Sequence, residues 1–184
     1  LYQQNTIRDA MVAALTLHIF HDHCDRVRMA NIAQTVNVLQ AIVLTEGEKM
    51  LLTPTYHVFE MYKVHQDASV LETQTESQSY TVDGKAISQI SASASRNAEG
   101  LLHISLSNAN HEDEAEVEIE LRGMEAGIAD VQGRLLAGKT MDEHNTFEQP
   151  DRVSPVPFHS FRMEGSRLAV TLPPMSVAVL AVGS

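Results

Sequence analysis

The sequence predicts a chain of α/β plus all-β class, in which the last elements of an α/β barrel run into a C-terminal β-sandwich. Three observations predict it. Apolar residues recur at steps of three and four as far as Asp67, the period of helices with one buried face. Beyond Asp67 they recur at steps of two, the period of strands. Turn signals then punctuate the second region at the short intervals that suit a sandwich or jelly roll. The change of period divides the chain into units 1–67 and 68–184.

In the first unit, Ile7, Met11, Ala14, Leu15 and Ile19 define the inner stripe of a helix expected over Leu1 to His23. The next run, Arg26 to Ala33, becomes largely apolar and holds no Gly or Pro, which suits a strand covered on both faces in a parallel sheet. A long loop is expected through Glu46-Gly47-Glu48-Lys49. Thr53 followed by Pro54 is the signature of an N-cap and a first helical position, with Val58, Met61, Tyr62 and His65 as the inner face of the helix it opens. One parallel strand between two helices cannot cover itself, because such a strand is flanked by neighbours in a sheet. The remaining barrel strands are therefore expected upstream of Leu1.

In the second unit, Leu102 to Leu106 alternates apolar and polar residues, and Ala115 to Leu121 alternates without exception, with Glu116, Glu118 and Glu120 outward. Arg167 to Leu172 repeats the pattern, with Leu168, Val170 and Leu172 inward. Ser176 to Val182 is continuously apolar and reads as a strand covered on both sides. Turns are expected at Asp83-Gly84, Asn97 to Gly100, Arg122-Gly123, Gln132-Gly133 and Glu164-Gly165.

Composition bounds the function. The chain has 184 residues, too few for a complete (β/α)8 barrel of roughly 200 to 400. Its 43% hydrophobic and 20% charged residues describe a folded globular protein. A net charge of -11, from 24 acidic and 13 basic residues, repels a polyphosphate backbone and argues against a nucleic-acid partner. No apolar run approaches the roughly 18 residues of a membrane span, so no membrane partner is expected. No signal peptide is visible, and the chain opens on Leu1 with no initiator Met, so its natural start is expected elsewhere. The single Cys24 excludes an intramolecular disulfide and fits a reducing compartment.

Four groups of residues invite chemistry. His18, His21, His23 and Cys24 suggest zinc, but only His18 and His21 have the spacing of one helix face, so a polar helix end is the better reading. Glu112, Asp113, Glu114, Glu116, Glu118 and Glu120 suggest calcium, but three of them belong to one exposed strand face. Glu46 and Glu48 flank Gly47 in an exposed loop, which supplies neither a raised pKa nor the fixed separation that acid-base work needs. The amides Asn31, Gln34 and Asn37 are more informative. They stand at and just beyond the end of the expected strand, where barrel residues face an active site, and an amide offers sugar hydroxyls a donor and an acceptor together. For Gln34 a ligand role stands against that of a core amide closing the strand.

The run His21 to Gln40, with Ala30-Asn31-Ile32-Ala33-Gln34-Thr35-Val36-Asn37-Val38 at its centre, and the run Leu52 to Tyr62 closely resemble the C-terminal part of α-L-arabinofuranosidases of glycoside hydrolase family 51. Leu172-Pro173-Pro174-Met175-Ser176-Val177 is similar to that family's last sandwich strand. Cys24 and Thr35 stand where small or apolar residues are more usual. The resemblance covers essentially the whole chain. It implies the seventh helix, eighth strand and eighth helix of a (β/α)8 barrel, then a jelly-roll β-sandwich. It also implies a retaining exo-enzyme that removes terminal α-L-arabinofuranosyl groups from arabinan, arabinoxylan and arabino-oligosaccharides. The family's two catalytic glutamates lie on the fourth and seventh barrel strands, and no Glu here matches either motif. This chain is thus expected to hold no catalytic residue, to be inactive alone and to use no cofactor or metal. The family role that lands here is that of Gln34, the glutamine that hydrogen-bonds the arabinose where cleavage occurs. The implied partners are the N-terminal part of the same enzyme, the oligosaccharide and further copies of the protein, often as a hexamer, in the cytoplasm. The rival readings are a non-catalytic carbohydrate-binding sandwich and an oligomerisation module. The absence of Trp and the 5% aromatic content weigh against the first, since sugar platforms stack on exposed rings.

Overall fold

The structure is a computed structural model that describes residues 5–33, 35–123 and 130–183. Helix α1 (Ile7–Asp22) begins where the Asp9 carboxylate accepts both the N–H and the hydroxyl of Thr6, at 2.8 and 2.9 Å. That contact ends the helix at Ile7, so Asn5 and Thr6 lie outside it although helix was expected there. Two more first-turn donors, the N–H groups of Ile7 and Arg8, are taken by the carbonyls of Glu143 and Met141, each at 3.0 Å. A distant loop thereby fills the places that a helix start leaves without partners. The buried stripe is Ile7, Ala10, Met11, Ala14 and His18. Ile19, expected inside, is 56% exposed, because the stripe advances from Ala14 to His18 and Ile19 stands about 100° further round.

Arg26 to Ala33 forms no strand: Arg26 closes a turn and residues 27–33 carry no regular structure. A parallel strand exists only against a neighbour, and among the described residues the one parallel pairing nearby is the bridge of Val36 to Val43. The expected loop at Glu46 to Lys49 is instead an antiparallel hairpin of β1 (Val43–Glu46) and β2 (Lys49–Leu52). Gly47, at φ +59°, supplies the left-handed backbone that a two-residue turn requires. Helix α2 (Pro54–Tyr62) opens as expected, with the Thr53 hydroxyl accepting from the Tyr56 N–H at 3.4 Å, and a 3₁₀ turn (Lys63–His65) ends it.

The rest is antiparallel sheet. The strands are β3 (Ser69–Leu71), β4 (Ser79–Val82), β5 (Lys85–Ser88), β6 (Ile90–Arg96), β7 (Leu102–Asn108) and β8 (Ala115–Glu120). They continue with β9 (Asp130–Ala137), β10 (Val156–Phe158), β11 (Phe161–Glu164), β12 (Arg167–Leu172) and β13 (Ser176–Gly183). One sheet runs β10-β9-β13-β7-β6-β3, a second runs β11-β12-β8, and β4 and β5 pair as a hairpin. The expected turn at Gln132-Gly133 is absent, since both residues lie inside β9, where Gly133 pairs with Phe158 and with Leu180.

Three layers result. One face of the six-stranded sheet meets the three-stranded sheet through Ile104, Leu106, Phe158, Leu168, Leu172 and Leu180. The other face takes α1 and α2 through Leu136, Val177 and Val179 against Ile7, Met11, Val58 and Met61. Strand β13 is buried on both sides, as its unbroken apolar run requires. Strand β7 is buried along its whole length too, because its polar face, His103, Ser105 and Ser107, is turned toward the helices rather than to water.

Candidate functional site

Residue 34, the strongest expectation for ligand contact, lies outside the described residues, and its neighbours show how the segment is held. The Val43 N–H donates to Thr35 O at 3.1 Å, and the Asn37 N–H donates to Val43 O at 3.2 Å. Asn37 has φ +55°, and its side chain closes on the hairpin: Oδ1 accepts the Thr45 N–H and Nδ2 donates to Thr45 Oγ1, both at 2.8 Å. An amide with both functions engaged inside the chain is a fastener of the segment, so Asn37 is no sugar reader in this geometry. Further on, Ala41 O accepts from the Thr53 hydroxyl at 3.2 Å and from the Asn5 side chain, which ties the segment to the starts of both helices. Asn31, Ala33, Thr35 and Val36 are exposed on this chain.

The histidines that suggested zinc belong to a hydroxyl-rich layer between the helices and the six-stranded sheet. His18 Nδ1 lies 2.8 Å from Ser91 Oγ, and its Nε2 lies 2.7 Å from the Tyr62 hydroxyl and 3.0 Å from Ser105 Oγ. His65 bridges Ser95 at 2.7 Å and Ser105 at 3.1 Å, and His21 meets Ser93 at 3.0 Å. The rings adjoin in turn: His18 stacks nearly parallel on Tyr62, and His21 lies 4.7 Å from His65 at a tilt of 57°. Burial drives the His18 and His65 pKa values down to about 3, helped by the neighbouring imidazoles, and raises that of the Tyr62 phenol. The phenol therefore keeps its proton and donates it. His18 Nε2 accepts, and the network assigns the ring proton to Nδ1, toward Ser91. Sequence reasoning singled out His18 and His21 and set Tyr62 and His65 on the inner face of α2, but it did not join these groups and missed His103 and the serines. The signal was present in Ser91-Ala92-Ser93-Ala94-Ser95, where alternation puts every hydroxyl on one face.

The other candidates stay apart from one another. His23 is exposed at the end of α1 and Cys24 is half-buried. Among the described residues, no group of three or more His, Cys, Asp or Glu is arranged to hold a metal ion. Glu116, Glu118 and Glu120 point outward from β8, Glu118 pairs with Arg167 at 3.1 Å and Glu120 with Arg122 at 3.0 Å. Glu46 and Glu48 are exposed on the β1-β2 hairpin. A cleft of about 1030 Å³ opens beside β8, floored by Ile90, Ala92, Ala94 and Ile104 and flanked by Val117 and Ile119. No aromatic ring lines it among the described residues, so it offers no stacking platform for a sugar. No helix among these residues is long and apolar enough to cross a membrane.

Known proteins share this arrangement. The model of the α-L-arabinofuranosidase C-terminal domain family matches residues 1–176. An "Intracellular exo-alpha-L-arabinofuranosidase" of Bacteroides ovatus is 45% identical over 181 residues, 98% of this chain and 35% of that protein. An "Intracellular exo-alpha-(1->5)-L-arabinofuranosidase" of Streptomyces lividans is 27% identical over 93% of this chain and 26% of its own length. The crystal structure of the GH51 arabinofuranosidase from Xanthomonas axonopodis pv. citri superposes with a TM-score of 0.95 at 42% identity, covering 100% of this chain and 37% of the other. The chain thus spans about a third of the relatives it matches best among these.

Proposed function

The chain belongs to the α-L-arabinofuranosidase C-terminal domain family of the GH51 enzymes, and from that premise we propose that it is the C-terminal part of a retaining exo-α-L-arabinofuranosidase. The whole enzyme removes terminal non-reducing α-L-arabinofuranosyl groups from arabinan, arabinoxylan and arabino-oligosaccharides. The observation that carries this reading is the superposition of all 184 residues on little more than a third of a GH51 enzyme. In this reading residues 1–67 are the end of a (β/α)8 barrel and residues 68–184 a jelly-roll sandwich.

The chemistry divides accordingly. Retention needs two carboxyl groups about 5–5.5 Å apart, one as nucleophile and one as acid/base. The candidates in this chain are exposed on a hairpin or a strand face, so the pair is supplied by the upstream part of the protein. This chain contributes Gln34, whose amide takes a hydroxyl of the arabinofuranosyl ring, a role supported by the resemblance of residues 30–38 to the family's motif. Exposed Val12, Ile19 and Met29, at 59%, 56% and 76%, support an upstream partner that covers them. A cytoplasmic location is supported by the word "intracellular" in the names of both curated relatives and by the single Cys24. Assembly into a homo-oligomer is supported by the family resemblance.

The experiment is hydrolysis of a nitrophenyl α-L-arabinofuranoside by the full-length protein and by the 184-residue chain alone. Turnover by the first and background rate from the second is the expected result. Turnover by the isolated chain overturns the division of labour, and none by the full-length protein overturns the activity.

A further inference from the structure

We propose that the histidine-serine layer under the C-terminal half of α1 and the Lys63–His65 turn is an acid-operated latch: it holds these segments on the six-stranded sheet while its imidazoles are neutral, and lets them open when the rings take up protons.

The sheet face under the helices is divided. Cross-strand partners share a face, so Leu136, Val177, Ser107 and Ser91 form one row and Arg134, Val179, Ser105 and Ser93 the next. Strands β9 and β13 thus present Leu136, Val177 and Val179 beside Arg134, which pairs with Glu60 of α2, while β7 and β6 present hydroxyls. The N-terminal half of α1 sits on the apolar side through Ile7, Ala10, Met11 and Ala14. Its C-terminal half sits on the hydroxyl side through His18 and His21, and the segment after α2 does so through His65.

Hydrogen bonds join that second side to the sheet, and they require neutral rings. His18 Nε2 accepts from the Tyr62 hydroxyl, which a doubly protonated ring cannot do. The groups facing the seam are His18, His21 and Asp22 from α1, Tyr62 and His65 from the second helical segment, Ser91, Ser93 and Ser95 from β6, and His103 and Ser105 from β7. Asp22 acts on His21 and Glu99 on His103, favouring their charged forms, whereas the charges that act on His18 and His65 are other imidazoles. A first proton on His21 therefore repels one on either neighbour. The Nδ1 atom of His103 is buried with no partner, so the seam already carries one uncompensated polar atom.

The sign follows from linkage. Packed, His18 and His65 have pKa values held near 3; opened, they return to about 6.5. The open state binds more protons throughout that interval, so closure is complete above pH 6.5 and weakens as the pH falls below it. Each ring makes opening about tenfold easier per pH unit, and the two together about a hundredfold. On the apolar half of the helix layer burial also lowers the pKa of His57 in α2, but Glu60 acts on it to favour its charged form, so the main response belongs to the seam of His18 and His65.

The test is hydrogen exchange read by mass spectrometry on the full-length protein between pH 8 and 5, corrected for the intrinsic pH dependence of exchange. Protection of peptides covering residues 15–22 and 62–66 is expected to fall about fivefold to thirtyfold between pH 6.5 and 5.5, while β7 and β13 keep theirs. The double variant H18Q/H65Q, which keeps hydrogen-bonding groups without titrating, is expected to flatten that response. An unchanged response in the variant, or loss of protection in helices and sheet together, overturns the proposal. Should the variant not fold, the imidazole proton signals of the wild-type protein decide: rings that stay neutral until protection is lost support the latch, and rings that titrate near pH 6.5 with α1 still protected overturn it.

Discussion

Asn145 and Val153 are bonded in both directions: Asn145 Oδ1 accepts the Val153 N–H at 2.7 Å and Asn145 Nδ2 donates to Val153 O at 2.9 Å. The same nitrogen also donates to Leu52 O, at 2.8 Å, the last residue of β2. One buried amide therefore joins the loop after β9 to the strand that leads into α2. Asn145→Ala leaves three buried backbone groups without partners, and is expected to cost about 3 kcal/mol. Asn145→Asp is expected to be no better, since it keeps the acceptor and sets a charge against two carbonyls. Urea unfolding of both variants checks this; an Asp variant as stable as wild type removes Asn145 from the role.

Glu143 supports the same loop by another means. Its carboxylate, 6% exposed, takes the backbone N–H of Lys139 and the Arg152 guanidinium, the latter at 2.8 Å. The Lys139 N–H first, and Arg152 after it, hold its pKa below the ordinary carboxylate value. A carboxylate with a lowered folded pKa stabilises above its unfolded pKa, and that stability is lost as the pH falls through the folded one. Glu143→Gln is accordingly expected to lower the denaturation midpoint at pH 7, and the gap with wild type to narrow as the pH falls below the ordinary carboxylate pKa. A gap that stays constant as the pH falls would mean that packing, not charge, is what Glu143 supplies.

Two glycines are expected to respond differently to alanine. A Cβ on Gly133 falls 2.8 Å from Phe158 O and 3.0 Å from the Leu180 side chain, where β10 pairs with β9 and backbone cannot yield. Gly133→Ala is expected to destabilise by about 1–3 kcal/mol through overpacking. Around Gly47 a Cβ meets nothing within 4 Å, and only its φ of +59° opposes a side chain, at about 1 kcal/mol. Chemical denaturation that finds the two costs reversed would contradict the register of β10 on β9.

Gln34→Ala in the full-length protein is expected to lower kcat/KM about ten- to a hundredfold with an unchanged melting temperature, since one orphaned hydroxyl contact costs about 1–3 kcal/mol. A fall in kcat places the contact in the transition state, and a rise in KM places it in uniform binding. Unchanged kinetics would take Gln34 out of the site, and a lowered melting temperature would make it a core amide.

Elements whose cause is local were legible in the sequence. The Thr53-Pro54 start of α2 is a cap next to a residue that cannot donate, and β8 and β12 follow from alternation alone. Elements whose cause is a neighbour were not. Arg26 to Ala33 has a strand's composition, but a parallel strand is a relation between segments, and among the described residues no strand lies beside it. Gln132-Gly133 has a turn's composition, yet the glycine answers to the close passage of Phe158. The histidine layer was half legible: the helical spacing exposed His18, while its partners Ser105 and His65 come from remote segments that only the fold brings together.

The graded sheet face also settles orientation. A uniformly apolar sheet would accept a pair of helices at several rotations of nearly equal energy, as grease accepts any plate laid on it. With hydroxyls along β6 and β7 and valines along β13, turning the helix pair end for end would strand His18 and His65 against Val177 and Val179 and leave the serines facing Met11 and Val58. The layer works like the notch of a key. A chimera that exchanged this sandwich for one with a plain hydrophobic face would still bind the helices, but it would no longer dictate which way they point.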